Sequence, residues 1–269
     1  MLETGRAPLG THGRWHSLVS LVSSQATFQR TTDIEVDSAT LVEGLPGLGM
    51  VASIAVDRIT TQLQLDQYGT IRSAEFPSVA AFADGRVRDS VRVYGGTTPS
   101  VLTLQSDVPI PPDAVGSLSR CVVEDLAPAF DRAIFLAGAP ADSEAEVGDV
   151  VGVATTDDLE AALTDVGITL AEGSGVIGGV TGALLDDCFR AGVPAAVLVV
   201  RSNPYIPDPG AARTVIESAL EPLVDFDVDT EQLREQAEEI QRQKRQLAEQ
   251  LQQYQEGSRR PPSGTPMYQ

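Results

Sequence analysis

The chain's 269 residues are 42% hydrophobic, with 38 acidic against 19 basic side chains and a formal net charge of −19. That apolar content suffices for a sizeable core in one large or two small domains, no apolar run approaches the roughly 18 residues of a membrane span, and so acidic a surface repels nucleic acid and anionic lipid. The weakly apolar stretch at 18–22 lacks a signal-peptide layout, so the expected location is the cytoplasm.

Rare residue types narrow the chemistry further. Of the 19 basic residues 18 are Arg, and Lys244 is the one Lys. A P-loop is therefore absent, and a Schiff-base enzyme would have to use Lys244. His12 and His16 sit together in a Gly-rich leader, so neither a Ser-His-Asp triad nor a multi-histidine metal site is expected in the core. Cys121 and Cys188 lie far apart in helical contexts and read as buried small hydrophobes rather than a disulfide or zinc pair. The acids concentrate between residues 31 and 230, where 31 acids face 10 bases. An acid-rich, Lys-poor surface suits a salty cytoplasm in which screening relieves self-repulsion, so a halophilic archaeal source is expected.

In chain order, residues 1–30, rich in Gly, Ser, Thr and Arg without a sustained period, read as a disordered extension. "ATLVEG" from residue 39 is a short apolar strand, and a Gly-Pro-Gly turn joins it to "LGMVASIAVDRITTQL", whose apolar residues recur at helical spacing. "YGTIRSAEF" reads as a strand. "VAAFADGRVRDSVRVYGG" reads as a hairpin turning at Asp84-Gly85 that adds a mixed edge to the sheet, and "SVLTLQS" continues the sheet. A Pro-rich break at 109–112 precedes a helix, "AVGSLSRCVVEDLAPAF", and a buried strand, "RAIFLAGA". After an acidic loop from Asp142 to Asp149 comes the strand "VVGVAT", with Thr155 or Thr156 capping a helix that carries Asp157 and Asp158 near its N-terminus. "EGSGVIGGVTGALLDDCFRAG" is a glycine loop feeding a helix that Gly192 ends. "VPAAVLVVRS" has the continuous apolarity of a central parallel strand buried on both faces. A last core helix stops near Pro222. Strands alternating with helices predict one α/β domain over 31–226, a three-layer sandwich with a mainly parallel sheet.

From 229 to 256 the pattern changes. Leu233, Ala237, Ile240, Lys244, Leu247, Leu251 and Tyr254 alternate at spacings of four and three, the seam of a coiled coil, with Gln, Glu and Arg dominating between them. So narrow a stripe suits association of two to four helices; the alternative is one amphipathic helix folded against its own domain. Lys244 at a seam position weakens the coil and sets its register, and is poorly placed for catalysis. Gly257 is expected to end the helix, and residues 257–269 form a Pro- and Gly-rich tether finishing on Met267, Tyr268 and Gln269.

Two stretches fit dinucleotide fingerprints: Gly47-x-Gly49-x-x-Ala52 and Gly173-x-Gly175-x-x-Gly178. Glycines there could let backbone N–H groups approach a phosphate, or could simply make tight turns with close backbone packing. Adjacent carboxylates at Asp157/Asp158, Asp186/Asp187 and Glu238/Glu239 point apart on helices and read as surface charge. Arg201, Asn203, Tyr205 and Asp208 follow a buried strand at the end where α/β sheets bind ligands, but the preferred reading is a structural loop. The final tripeptide is a different kind of signal: its Tyr ring can fill a pocket while the terminal carboxylate meets a cation.

"LVEGLPGLGMVASIAVDRI", "GSGVIGGVTGALLDDCFRAGVPAAVLVV" and "DPGAARTVIESAL", in that order, resemble the proteasome assembly chaperone family in its archaeal branch, over about residues 31–224. The resemblance implies a phosphorylase-like α/β sandwich without an established catalytic site, and so no cofactor. The tail is similar to the hydrophobic-Tyr-any motif that proteasome activators and assembly factors insert between neighbouring α-subunits of the 20S ring. Carried over, Met267 is the anchor, Tyr268 packs at the rim and the Gln269 carboxylate pairs with a pocket lysine. The expected protein is a non-enzymatic homo-oligomer whose partner is the 20S α-ring or its subunits, with assembly and activation both open. The competing expectation is a nucleotide- or nucleoside-binding enzyme using the two glycine loops.

Overall fold

The computed structural model describes residues 25–258. Its centre is the first apolar strand, β2 (Ala39–Gly44), fully buried along its length. β2 pairs in parallel with β7 (Ser100–Ser106) on one side and with β8 (Phe130–Pro140) on the other, and β8 pairs in parallel with β11 (Ala195–Ser202). Beyond this core the pairing turns antiparallel. β1 (Thr27–Arg30), β3 (Asp66–Arg72) and β6 (Val91–Thr97) extend the β7 side, and β9 (Val150–Ala154) pairs antiparallel with β11 before a short β10 (Thr169–Leu170) closes the far edge. The nine strands run β1-β3-β6-β7-β2-β8-β11-β9-β10. Parallel pairing thus occupies the middle, where both faces are covered, and antiparallel pairing flanks it on each side, with one short parallel pair, β9–β10, at the far edge.

Alternate residues of each central strand enter opposite cores. Val42, Ile134, Leu136 and Leu198 pack with α1 (Val51–Gln62), α3 (Asp157–Asp165), α5 (Pro209–Val215) and α6 (Glu221–Val224). Leu41, Ala133, Phe135 and Val197 pack with α2 (Pro112–Cys121) and α4 (Gly179–Ala191). The result is three layers, the period-two consequence of a strand with apolar side chains on both faces.

The local signals act as their chemistry requires. Thr156 accepts from Leu159 N at 3.4 Å and so caps α3, and Gly192 at φ +71 ends α4. Asp84 and Gly85 both have positive φ, and they turn β4 (Ala81–Ala83) into β5 (Arg86–Arg88).

Three expectations are corrected. The β4–β5 hairpin is a separate two-stranded sheet rather than an edge of the main one, because the chain from β5 leaves it and β6 joins β3 and β7 instead. The domain begins before residue 31, since Thr27–Arg30 pair with β3 and Phe28 stacks on Tyr68. Strand β11 is parallel only to β8; its other neighbour runs against it. The last core helix stops near Pro222 as expected, ending at Val224 with Asp225 in the left-handed region.

Candidate functional site

The seven expected seam residues ride on α7 (Glu231–Ser258), and the structure divides them. The helix leaves the domain at a fixed point, where Thr230 Oγ1 bonds the Glu217 carboxylate and Arg58 donates to Asp229 O and Gln232 Oε1. Leu233, 5% exposed, joins the core beneath α1 and α5. One turn on, Ala237 faces Gly210 of α5, two small residues that let the helix axes approach; a methyl placed on Gly210 would sit 3.5 Å from the Ala237 Cβ. Ile240 and Lys244 are half-buried beside the 203–208 loop. Leu247 and Leu251 are 58% and 54% exposed and continue the same stripe into solvent. The first half of the seam therefore packs on its own domain and the second half is uncovered. The Tyr254 side chain, and Met267, Tyr268 and Gln269, lie outside the described side chains.

Several charges on the remaining face of α7 are paired along the helix. Arg234 bridges Glu231 and Glu238, and Arg242 bonds Glu239 at 2.6 Å. Hydrogen bonding to Arg234 and to Arg242 holds the Glu231 and Glu239 carboxyls below their usual range. The other adjacent acids serve structure as well: Asp157 and Asp158 sit in the first turn of α3, Asp186 pairs with Arg190, and Asp187 accepts from Ser119 Oγ at 2.5 Å.

The glycine loops do not meet. Gly49, at φ +65, is buried against the chain's own 202–208 loop: a Cβ there would lie 2.6 Å from Ser202 Oγ, and Gly49 O accepts from Asp208 N at 2.8 Å. The close approach that a phosphate would need is thus taken by protein backbone. Gly47 is exposed and lines a groove of about 730 Å³ with Ser53, Arg88, Arg92 and Asp107. Both arginines are committed to the Asp107 carboxylate. Gly173, Gly175 and Gly178 are exposed, with open space where a Cβ would stand, and the first two line a different groove together with Val151, Val153 and Phe189. The loop after β11 is likewise internally satisfied. Asp208 caps α5 through Ala211 N and accepts from Asn203 N, Asn203 Oδ1 accepts from Tyr205 N, and Arg201 donates to Pro140 O. Only the Tyr205 ring, 91% exposed, is left over.

Sequence reasoning missed Glu43. It ends the apolar run of β2 with its side chain fully buried, accepting from Leu45 N at 2.8 Å, Leu136 N at 3.3 Å and Thr181 Oγ1 at 3.4 Å. It thereby ties the first glycine turn to β8 and α4. Burial pushes its pKa up to about 7 against those hydrogen bonds. An acid inside "ATLVEG" was the visible signal. The thiols of Cys121 and Cys188, also buried, are pushed up to about 12 by burial and are unreactive. Among the described residues no three His, Cys, Asp or Glu gather to hold a metal, and no helix is long and apolar enough to cross a membrane.

Comparison with known proteins gives this architecture a context. Pyrococcus furiosus PbaA, an archaeal homolog of proteasome-assembly chaperone, superposes with a TM-score of 0.74 at 27% identity, covering 86% of this chain and 96% of that one. Pyrococcus furiosus PbaB, an archaeal proteasome activator, shares the fold with a TM-score of 0.76 at 19% identity over 84% of this chain and 99% of that one. An uncharacterized protein of Methanocaldococcus jannaschii, MJ0106, is 27% identical over 223 residues, 83% of this chain and 91% of its own length. With residues 41–248 matching the family as a whole, the central sheet, both glycine turns and the first half of α7 all fall within it, and the chain belongs to the PAC2 family.

Proposed function

We propose that this PAC2 protein is a non-enzymatic assembly chaperone or activator of the proteasome, acting in the cytoplasm, whose tail docks between α-subunits of the 20S ring. The observation that carries the reading is family membership together with the likeness to PbaA along nearly its full length. The geometry agrees. The two glycine loops line separate grooves and Gly49 packs on the chain's own 202–208 loop, which favours this reading over the nucleotide enzyme. Helix α7, by contrast, carries the chain away from the domain with an uncovered apolar stripe at its far half.

In this reading Met267 anchors in an inter-subunit pocket, Tyr268 packs at its rim and the Gln269 carboxylate meets a pocket lysine. Copies gathered through α7 present several weak tails at once, and the second tail binds at an effective concentration set by its tether. The acid excess between 31 and 230 suits high salt. The test is capture of native α-subunits by the full chain and by a chain lacking Met267 to Gln269. Deletion should reduce capture at least tenfold; equal capture would overturn the docking role.

A further inference from the structure

Beside α7 a groove of about 660 Å³ lies between the helix, the 203–210 loop after β11 and the 140–147 loop after β8. Its apolar lining includes Pro204, Tyr205, Pro207 and Ile240, with the Tyr205 ring 91% exposed and Ile240 half-buried. Lys244, the one Lys of the chain, is half-buried in the same lining. Among the described residues it forms neither a hydrogen bond nor an ion pair, although Asp142 and Glu144 line the groove from the 140–147 loop. Arg234 and Arg242 on the same helix are, by contrast, tied to carboxylates of α7 itself. A half-buried ammonium without a counter-ion, beside an exposed aromatic ring and apolar side chains, suits an anion carried next to an apolar or aromatic residue.

The chain carries that anion at its own end. Lys244 and Ser258 are separated by about 21 Å of helix at ~1.5 Å per residue. The eleven residues 259–269 reach about 34 Å at ~3.1 Å per residue, so a chain turning back from the end of α7 brings Gln269 to Lys244 with length to spare. That segment places Met267 and Tyr268 directly before the terminal carboxylate. It also holds Arg259 and Arg260 and no acidic side chain, so its approach to a domain of strongly negative charge is favourable. A tether this short gives an effective concentration on the order of 1 mM, at which a contact of similar dissociation constant is already half closed.

We propose that residues 259–269 fold back in the free protein and seat in this groove of their own chain, with the Gln269 carboxylate on Lys244 and Met267 and Tyr268 against Ile240 and Tyr205. A proteasome pocket then has to draw the tail out before it docks. This rests on the docking role proposed for the tail and adds a resting state to it. Asp142 and Glu144, on a separate wall of the groove, oppose the incoming carboxylate and keep the latch weak enough to open.

The test follows the tail in the full chain. Cys121 and Cys188 are buried, so a nitroxide attached to a Thr265→Cys chain reports on the tail alone. Its electron paramagnetic resonance spectrum should contain an immobilised component that does not change with protein concentration. Lys244→Arg should keep that component, Lys244→Gln should lower the ratio of held to free label about threefold, and Lys244→Glu should abolish it. Circular dichroism melts establish that each variant is folded. Released tails are free to dock, so unlabelled Lys244→Glu should capture native α-subunits roughly fivefold more tightly than the native chain. A label equally mobile in the native and Lys244→Glu chains would overturn the proposal, as would immobilisation that grows with concentration, which assigns the occupant to another copy. Native capture that Lys244→Glu leaves unchanged would overturn the competition. A label held as expected with no capture by any variant would sink the docking role instead and leave this contact standing.

Discussion

Glu43 is a carboxylate held away from water, and its cost depends on pH. Its ordinary pKa of 4.5 rises to about 7 in the fold, chiefly through burial, with the hydrogen bonds from Leu45, Leu136 and Thr181 opposing the rise. The folded chain therefore holds this proton more tightly than the unfolded chain does. Below about pH 4.5 both states are protonated; between about 4.5 and 7 stability falls as pH rises; above 7 the full penalty, on the order of 3 kcal/mol, is in place. Glu43→Gln should remove that decline, so urea unfolding of the variant from pH 5 to 8 should be flatter than that of the native chain. Parallel profiles for the two proteins would show that Glu43 is not the group responsible. The residue was visible in sequence as an acid inside an apolar strand. That it is enclosed was not visible, because Leu136 and Thr181, which enclose it, come from β8 and α4, far along the chain.

At the scale of elements, α7 shows how one sequence pattern can serve two partners. The four-three spacing from Leu233 to Tyr254 marks a single stripe, and a stripe alone does not say what covers it. Tertiary contacts decide: α5 offers the small residue Gly210 opposite Ala237, and Leu233 reaches the domain core. Leu233→Ala should accordingly destabilise the domain by about 2 to 4 kcal/mol, the cost of emptying a buried leucine site. Leu251→Ala should leave domain stability within about 0.5 kcal/mol and instead weaken self-association. Chemical unfolding read beside the concentration dependence of mass separates the two. A large loss of domain stability from Leu251→Ala would mean that the far half of α7 also packs at home. The strands β2, β7, β8 and β11 were readable because apolar runs bounded by turn residues leave few alternatives. The departure of the β4–β5 hairpin from the main sheet was not, since its turn chemistry fixes the pairing within the hairpin and is silent about the next strand over.

For the whole molecule, charge is the dominant surface property. With 31 acids against 10 bases between residues 31 and 230, mutual repulsion opposes the compact state and salt relieves it. Raising salt from 0.1 to 1 M shortens the screening length from about 10 to 3 Å and should raise the Tm by roughly 5 °C, equivalent to about 2 kcal/mol for a domain of this size. A thermal melt series in a single neutral salt measures it. A Tm that falls with salt would show that ion pairs such as Arg92 with Asp107, rather than repulsion, control the balance.

By itself the sequence determined composition, the alternation of strand and helix, the positions of caps and turns, and the residue pattern that resembles archaeal assembly chaperones, because each is local or additive along the chain. Only the tertiary structure decided which strands run parallel, that Thr27–Arg30 belong to the sheet, that the two glycine loops face separate grooves and that α7 is half docked. Those outcomes depend on which distant residues arrive at the same place, and the free energy of burial, which selects among them, is a property of the assembled surfaces rather than of any segment.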